Sequence, residues 1–173
     1  MTAGNNIILI GMPTSGKTTV SMALAEKTGR KRYEMDYLIM EKLGTDIRTC
    51  FETHGEAYFR KIETETAKEL SSARDSIISC GGGVIKIPET MRWLKSCGTV
   101  VWLQRDPEKL YPTDSRPLSS TRESLQRLYA ERLPLYEKYA DITADNNGTV
   151  EAAVMQIVEK CGLEQEGDLG CVQ

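Results

Sequence analysis

The feature that most constrains the fold is a glycine-containing segment near the amino terminus. Residues 11–18 read GMPTSGKT and match the phosphate-loop pattern G-x-x-x-x-G-K-[ST] at every fixed position. An apolar run at residues 7–10 predicts a buried strand before the loop. Residues 18–27 predict a helix after it, with Gly29 at its end. Because backbone N–H groups and the helix dipole face phosphates at such a junction, the segment predicts a nucleoside triphosphate site.

The loop and the first helical turn supply the groups expected to hold the triphosphate. Lys17 is expected to reach the β- and γ-phosphates, and the Thr18 hydroxyl to bind Mg²⁺. The nucleotide-binding candidates in this segment are Gly11, Thr14, Ser15, Gly16, Lys17, Thr18 and Thr19. The motif alone does not distinguish a kinase from a GTPase, a motor or a regulatory protein.

Composition and charge exclude several other classes of protein. With 173 residues, 40% of them hydrophobic and 27% charged, the chain fits one globular domain with a sizeable core. A net charge of -3 gives no reason to expect nucleic acid as a partner. No apolar run approaches the ~20 residues of a membrane span, and no secretory signal is evident, so we expect a cytoplasmic protein. The five cysteines are an odd number without a C-x-x-C pair, which argues against a disulfide framework and a structural zinc site. His54, the one histidine, is expected at a helix end.

Strand-like and helix-like segments alternate along the chain. Besides residues 7–10, strands are predicted at residues 31–36, 76–80, 100–103 and 141–143. Further helices are predicted at residues 37–43, 46–53, 56–73, from Pro88 onward, at 121–139 and at 150–161, with Pro134 expected to end or kink its helix. This alternation is typical of a three-layer α/β/α fold with a parallel sheet, here one domain over residues 1–163 with a tail at 164–173.

Acidic residues and glycines follow two of the predicted strands. In parallel sheets ligands bind beyond the carboxyl ends of the strands, which places Glu34, Asp36 and the triple glycine at 81–83 beside the phosphate loop. Strand geometry would point Glu34 and Asp36 the same way, so that one could hold a metal-bound water and the other accept a proton. A solvated acidic loop and a tight glycine turn are the alternatives.

Three arginines are candidates for binding anions, because the guanidinium fork suits carboxylates and phosphates. Arg60 and Arg132 lie in predicted helices. For each of them, the alternative to binding an anion is an ordinary exposed side chain on the helix surface. Arg116 lies in a turn-rich segment, residues 106–120, which we call the lid. A mobile segment of this kind could bring a cation onto the phosphates.

Taken in order, these motifs resemble shikimate kinase, a P-loop family of the nucleoside monophosphate kinase group, over about residues 7–157. The motifs that carry the resemblance are the phosphate loop, the acidic pair ending in Asp36, FR-x-x-E at 59–63, GGG at 81–83, RPL at 116–118 and R-x-PLY at 132–136. The resemblance implies transfer of the γ-phosphoryl of ATP to the 3-hydroxyl of shikimate, in aromatic amino-acid biosynthesis. It also implies a sheet of five parallel strands.

The resemblance assigns roles on both sides of the reaction. Asp36 would bind the acceptor hydroxyls and act as base, and Arg60 and Arg132 would hold the shikimate carboxylate. The pocket would be lined by Gly81, Gly82 and Gly83. Lys17 and the lid residue Arg116 would act on the phosphates, with Mg²⁺ on Thr18 and Glu34.

Several positions depart from the usual pattern of the family. Thr14 stands where glycine is frequent, and Glu34 where aspartate is usual, which keeps the charge but moves it. The lid is less basic than is common, with Lys109 the nearest candidate to pack on adenine beside a loop at 146–148. Two other functions remain open on the sequence: another small-molecule kinase, such as one for gluconate, and an ATP-binding regulatory protein without turnover. As partners we expect a small-molecule substrate, with no nucleic acid or membrane, and a monomer.

Overall fold

The computed structural model describes residues 4–163, which form one parallel sheet between two layers of helices. The strands of this part are β1 (Asn6–Ile10), β2 (Lys31–Glu34), β3 (Ser76–Ser79), β4 (Gly98–Gln104) and β5 (Ile142–Asp145). Its α-helices are α1 (Lys17–Thr28), α2 (Met35–Leu43), α3 (Ile47–His54), α4 (Glu56–Leu70), α5 (Pro88–Cys97), α6 (Arg122–Tyr139) and α7 (Val150–Cys161). The described strands pair in parallel in the order β2-β3-β1-β4-β5, which confirms the predicted α/β/α fold with five parallel strands.

Strand β1 lies at the centre of the sheet, between β3 and β4. All its residues are buried, which explains the uninterrupted apolar run in the sequence, because both faces of a parallel strand are covered by helices. Ile7 and Leu9 point to one face, and Ile8 and Ile10 to the other, as the alternation of side chains along a strand requires.

Helices cover the two faces of the sheet with separate apolar clusters. Against Ile7 and Leu9, α1 and α7 contribute Val20, Leu24, Val154 and Ile157. Against Ile8 and Ile10, helices α4, α5 and α6 contribute Ala67, Leu70, Met91, Leu94, Leu128 and Tyr136. On the second face the rings of Trp102 and Tyr136 stack with centroids 5.9 Å apart, which fixes α6 against β4.

The second strand is shorter than predicted. Residues 31–36 were expected to be extended, but β2 ends at Glu34 and Asp36 lies in the first turn of α2. Glu34 is paired with Ser79, the last residue of β3, so the edge strand has no partner beyond this point. The prediction that strand alternation aligns Glu34 with Asp36 is therefore wrong, although both residues still follow the same strand.

Two predicted helix limits also differ from the structure. Helix α6 runs through Pro134, which was expected to end or kink it. Leu128, Arg132 and Tyr136 are buried on one face to either side of the proline, so packing holds the helix across the one hydrogen bond that proline removes. Helix α4 ends at Leu70 rather than at residue 73, because the hydroxyls of Ser71 and Ser72 donate to the last helical carbonyls.

The remaining expectations concern the connections and the termini. The lid, residues 106–120, joins β4 to α6 and contains two short 3₁₀ helices, Pro107–Lys109 and Pro117–Ser119. His54 is the last residue of α3, as predicted. The described cysteines Cys50, Cys80, Cys97 and Cys161 are free thiols. Within residues 4–163, no helix is long and apolar enough to cross a membrane. The tail predicted at 164–173 lies outside the described residues.

Candidate active site

The phosphate loop connects β1 to α1 in a conformation that requires glycine. Gly16, which precedes α1, has a φ of 95°, and a Cβ there would lie 2.5 Å from Nδ2 of Asn146. That Nδ2 donates to the carbonyl oxygen of Ser15 at 2.8 Å. Glycine at position 16 therefore serves both the backbone angle and the close approach of the loop after β5.

The Lys17 ammonium lies inside this loop. Its Nζ donates to the carbonyl oxygens of Gly11 and Met12, each at 2.8 Å, and the side chain is buried. Burial, and secondly the guanidinium of Arg116, lower the pKa of Lys17 to about 7. A nearby triphosphate would favour the charged form, because its negative charge opposes both effects.

The nucleotide candidates form the wall of one cleft. The residues of this set that line it are Thr14, Gly16, Lys17, Thr18 and Thr19. Gly11 and Ser15 do not line the cleft, and Ser15 is buried within the loop. The side chain of Thr14 turns toward the lid, where it contacts Tyr111. Earlier in the lid, Nζ of Lys109 donates to the carbonyl oxygen of Asn147 at 3.0 Å, which ties the lid to the loop at 146–148.

Thr18 and Glu34 lie side by side at the end of β2. Oγ1 of Thr18 donates to Oε2 of Glu34 at 3.2 Å, and Arg32 pairs with the same carboxylate oxygen at 2.7 Å. Burial raises the pKa of Glu34, and the charge of Arg32 opposes this rise. The described residues contain no group of three or more His, Cys, Asp and Glu side chains that could hold a metal ion. One hydroxyl and one carboxylate nevertheless fit Mg²⁺, which takes few protein oxygens and binds substrate phosphates as well.

A second pocket, next to this cleft, collects the residues predicted for the acceptor. Asp36 reaches it from the first turn of α2, Arg60 from α4 and Arg132 from α6. The three glycines at 81–83 follow β3 and form another wall. Residues far apart in sequence thus converge here, because the carboxyl ends of the parallel strands meet at this edge of the sheet.

The triple glycine is needed for space rather than for an unusual backbone. A Cβ on Gly81 would lie 2.6 Å from Oδ1 of Asp36, and one on Gly82 would lie 2.7 Å from Cδ of Pro13. A Cβ on Gly83 would overlap the guanidinium of Arg60. Gly81, Gly82 and Gly83 all lack the positive φ of a left-handed turn. Their absent side chains let the loop pack directly against the functional side chains.

Arg60 is paired on both sides with acidic residues of its own helix. Its Nη1 donates to Oε1 of Glu63 at 2.9 Å, and its Nη2 lies 3.2 Å from Oε1 of Glu56. Glu63 is completely buried, and burial raises its pKa to about 7, with the charge of Arg60 opposing the rise. These pairs hold the guanidinium at the wall of the pocket.

Arg132 has no such compensation. Its side chain is 2% exposed, its Nε has no hydrogen-bond partner, and it forms no ion pair within the described part of the chain. The hydroxyl of neighbouring Tyr136 donates to the carbonyl oxygen of Gly82 at 2.6 Å, which fixes this part of α6 against the glycine loop. The buried carboxyl of Glu63 is an opposing charge nearby, but it already pairs with Arg60. A buried guanidinium without an ion pair of its own makes the pocket suited to an anionic ligand.

Arg116 lies where the two cavities meet. It lines both the acceptor pocket and the cleft of the phosphate loop. Its Nη1 is 3.2 Å from Oδ2 of Asp36, so the structure pairs it with the acceptor side. Its charge also lowers the pKa of Lys17, which requires the two cations to be near each other. The contact with phosphates that the sequence suggested stays a prediction.

Comparison with known proteins agrees with this geometry. The family model described as "Shikimate kinase" matches residues 13–162. A shikimate kinase of Moorella thermoacetica is 36% identical over 161 residues, which cover 90% of this chain and 92% of that protein. One of Lactococcus lactis is 39% identical, covering 92% of this chain and 99% of that protein.

The chain belongs to the shikimate kinase family. Among solved structures, a shikimate kinase from Acinetobacter baumannii in complex with shikimate superposes with a TM-score of 0.84 and 33% identity, covering 94% of this chain and 97% of the other. A gluconokinase from Sinorhizobium meliloti superposes with a TM-score of 0.59 at 17% identity, which is a likeness of fold alone. The alternative of a gluconate kinase therefore has no support beyond the fold that it shares with shikimate kinases.

The sequence did not single out some residues that shape this shikimate kinase site. Arg32 is two residues before Glu34 on the same strand, and that spacing places both side chains on one face. Glu63 was part of a motif but received no role, although its i+3 spacing from Arg60 is typical of an ion pair on a helix. Asn146 was expected only as part of the adenine-side loop at 146–148. Its contact with Ser15 spans 131 positions of the chain, which local sequence does not indicate.

Proposed function

We propose that this chain transfers the γ-phosphoryl group of ATP to the 3-hydroxyl of shikimate, giving ADP and shikimate 3-phosphate. The family supports the reaction and its phosphate donor. The observation that supports the residue assignment is the pocket beside the phosphate loop, where a carboxylate faces two buried arginines. Shikimate carries one carboxylate and three hydroxyls, which match these groups in charge and in hydrogen bonding.

In this proposal Arg60 and Arg132 bind the shikimate carboxylate. Arg60 is held in place by Glu56 and Glu63, so it contributes position more than net charge. Arg132 contributes positive charge that no direct ion pair offsets in the described part of the chain. The wall of Gly81, Gly82 and Gly83 lets the ring of the acceptor approach the loop closely.

Asp36 acts on the hydroxyl that attacks the phosphorus. Its carboxylate orients that hydroxyl and accepts its proton as the new O–P bond forms. The ion pair with Arg116 holds the carboxylate in position in the absence of the acceptor. When both substrates are bound, Arg116 turns from Asp36 toward the transferring phosphoryl group, which is within reach because it already lines the phosphate cleft.

Lys17 and the backbone of the phosphate loop stabilise the charge that moves during transfer. The Lys17 ammonium leaves the carbonyls of Gly11 and Met12 and contacts the phosphate oxygens. Thr18 and Glu34 would hold Mg²⁺, directly or through water. When bound, Mg²⁺ neutralises part of the phosphate charge.

The same proposal covers the organisation of the protein. We place catalysis in one domain of residues 1–163 that works as a monomer, in the cytoplasm, with a small-molecule acceptor and without nucleic acid or membrane partners. The adenine base would pack against Lys109 and the loop at 146–148, once the hydrogen bond of 3.0 Å between Lys109 and Asn147 opens.

The test is ADP release from ATP and Mg²⁺ with shikimate, gluconate and nucleoside monophosphates as separate acceptors. We expect strong stimulation by shikimate alone. Stimulation by another acceptor would keep the nucleotide site and reassign Arg60 and Arg132. ATP binding without stimulation by any acceptor would favour the regulatory function that the sequence left open.

A further inference from the structure

Thr14 has an unusual backbone conformation for its residue type. Its φ is 62°, in the left-handed region that favours glycine, and it is β-branched. A side chain at such a position strains the backbone, and the free-energy cost of that strain must be offset by contacts elsewhere. The contacts of Thr14 are therefore informative about its role.

The hydroxyl of Thr14 makes two hydrogen bonds to a single residue of the lid. It accepts from the backbone N–H of Tyr111 at 3.1 Å and donates to the carbonyl oxygen of Tyr111 at 3.2 Å. One side chain of the phosphate loop thus satisfies both backbone polar groups of a residue 97 positions away. Glycine or alanine at position 14 could form neither bond.

The contact lies at the start of the lid segment that carries Arg116. From the preceding side, Nη1 of Arg122 in α6 donates to the carbonyl oxygen of Leu110 at 2.7 Å. Beyond Tyr111, the backbone of Thr113 bonds to Ser119 and that of Arg116 to Thr113, so residues 113–119 form one hydrogen-bonded turn. Tyr111 is consequently the point at which this turn is attached to the phosphate loop.

We propose that Thr14 is a positioning residue for the lid. Its hydroxyl holds Tyr111 on the phosphate loop, and this attachment keeps the turn of residues 113–119, and with it Arg116, over the junction of the two cavities. The inference rests on the proposed function for its effect on turnover, but the attachment itself is testable without any substrate.

The first experiment is hydrogen exchange of the full, unliganded chain, comparing the natural protein with Thr14→Ala and Thr14→Ser. Alanine keeps the β-carbon and the backbone strain but removes the hydroxyl, and serine restores the hydroxyl. We expect the amide of Tyr111 to exchange roughly 3- to 10-fold faster in Thr14→Ala, the factor for losing one hydrogen bond. Thr14→Ser should restore slow exchange. The amides of α7 serve as an internal control and should not change.

The second experiment is steady-state kinetics of the same variants. Thr14→Ala should lower kcat by roughly 3- to 10-fold and leave KM for shikimate within about 2-fold, because Asp36, Arg60 and Arg132 are not contacted. Thr14→Ser should recover most of kcat. Thr14→Gly relieves the backbone strain without restoring the hydroxyl. In this variant the exchange rate of the Tyr111 amide and kcat should therefore equal those of Thr14→Ala.

Specific outcomes would overturn the proposal. They are unchanged exchange at Tyr111 in Thr14→Ala, equal effects of alanine and serine, or faster exchange throughout α7 as well, which would indicate general destabilisation. A chain that shows the exchange pattern but no turnover with shikimate would retain the lid attachment and contradict the proposed function instead.

Discussion

Asp36 is placed by the end of an edge strand. β2 stops at Glu34 opposite the last residue of β3, and the chain turns at once into α2. A carboxylate in the first turn of a helix is favoured by the helix dipole, which helps to keep a charged group in a pocket wall. The position of Asp36 therefore follows from the length of its neighbouring strand.

The variant Asp36→Asn tests the role of this carboxylate. We expect ATP binding to be retained and kcat to fall by roughly 10²- to 10⁴-fold, because the amide cannot accept the proton of the acceptor hydroxyl. Calorimetry with ATP and initial-rate kinetics provide the two measurements. Glu41→Gln, an exposed acid-to-amide change on the same helix, is the matched control. Near-normal turnover of Asp36→Asn would remove Asp36 from the chemistry.

The lowered pKa of Lys17 predicts a proton uptake on binding ATP. The group is a base whose pKa is about 7 in the unliganded protein, so at pH 8 it is mostly neutral. The phosphates favour the ammonium and raise this pKa, so binding at pH 8 takes up a proton, and the uptake grows as the pH rises from 7. Calorimetry in two buffers of different ionisation enthalpy measures it. If no proton is taken up at pH 8, Lys17 is not the group that gains a proton when ATP binds. The control is Lys17→Arg, whose side chain stays charged, so ATP binding to this variant should take up no proton.

The sequence was informative about these residues to different degrees. The phosphate loop was predictable because its backbone geometry imposes glycine and lysine at fixed spacings. Asp36 lies in the pocket where the sequence placed it, but it was assigned to a strand, since the sequence does not reveal where the partner strand ends. The absence of an ion pair for Arg132 among the described residues was not predictable, because it depends on where α4 places its carboxylates in the fold.

At the scale of elements, the lid depends on contacts with several separate parts of the molecule, beyond those with α6 and the loop at 146–148. The phosphate loop contacts it through Thr14, and α2 contacts it through Asp36. In α3, Arg48 donates to the carbonyl oxygen of Asp114 at 3.4 Å. Turn-rich composition predicted the segment, but these long-range contacts were outside what local sequence can indicate.

Removing the cation of the lid should affect turnover more than binding. For Arg116→Ala we expect kcat to fall by roughly 10²- to 10³-fold, because a positioned donor acts mainly on charge in the transition state. KM for shikimate should change little by comparison. Arg127→Ala, at an exposed position of α6, is the control. An unchanged kcat would exclude Arg116 from the mechanism.

Secondary structure was predicted well where local signals and packing agree. The predicted limits of α7, residues 150–161, match the observed ones. In the structure Thr149 caps the start of the helix and Gly162 follows its last turn. Helix α6 was misjudged at Pro134 because burial of its neighbours outweighs the local preference of proline. Propensity is thus a guide to the elements, and the tertiary contacts decide their limits.

At the scale of the whole molecule, the sheet brings all these groups to one edge. The order β2-β3-β1-β4-β5 places the acceptor loops after β2 and β3 beside the phosphate loop after β1. In this pocket Arg60 pairs with Glu63 and Arg116 with Asp36, while Arg132 has no ion pair of its own among the described residues. The pocket is therefore suited to a ligand that carries one negative charge.

Shikimate alone, without nucleotide, should stabilise the protein against heat. At about 100 times its Kd a ligand adds about 2.7 kcal/mol, which corresponds to an increase in Tm of roughly 5–10 °C for a domain of this size. Differential scanning calorimetry measures the shift, and the methyl ester of shikimate is the control because it lacks the carboxylate charge. An equal shift with the ester would contradict the role of Arg132 and Arg60.

The burial of Arg132 also has a consequence for the lifetime of the protein. A buried cation with no direct ion pair is costly to desolvate, and an anionic acceptor would offset that cost from solution. Protein made where its acceptor is scarce should therefore unfold more often and be degraded faster than protein made where the acceptor is plentiful. Binding of the acceptor would in this way raise the abundance of the enzyme through its stability alone.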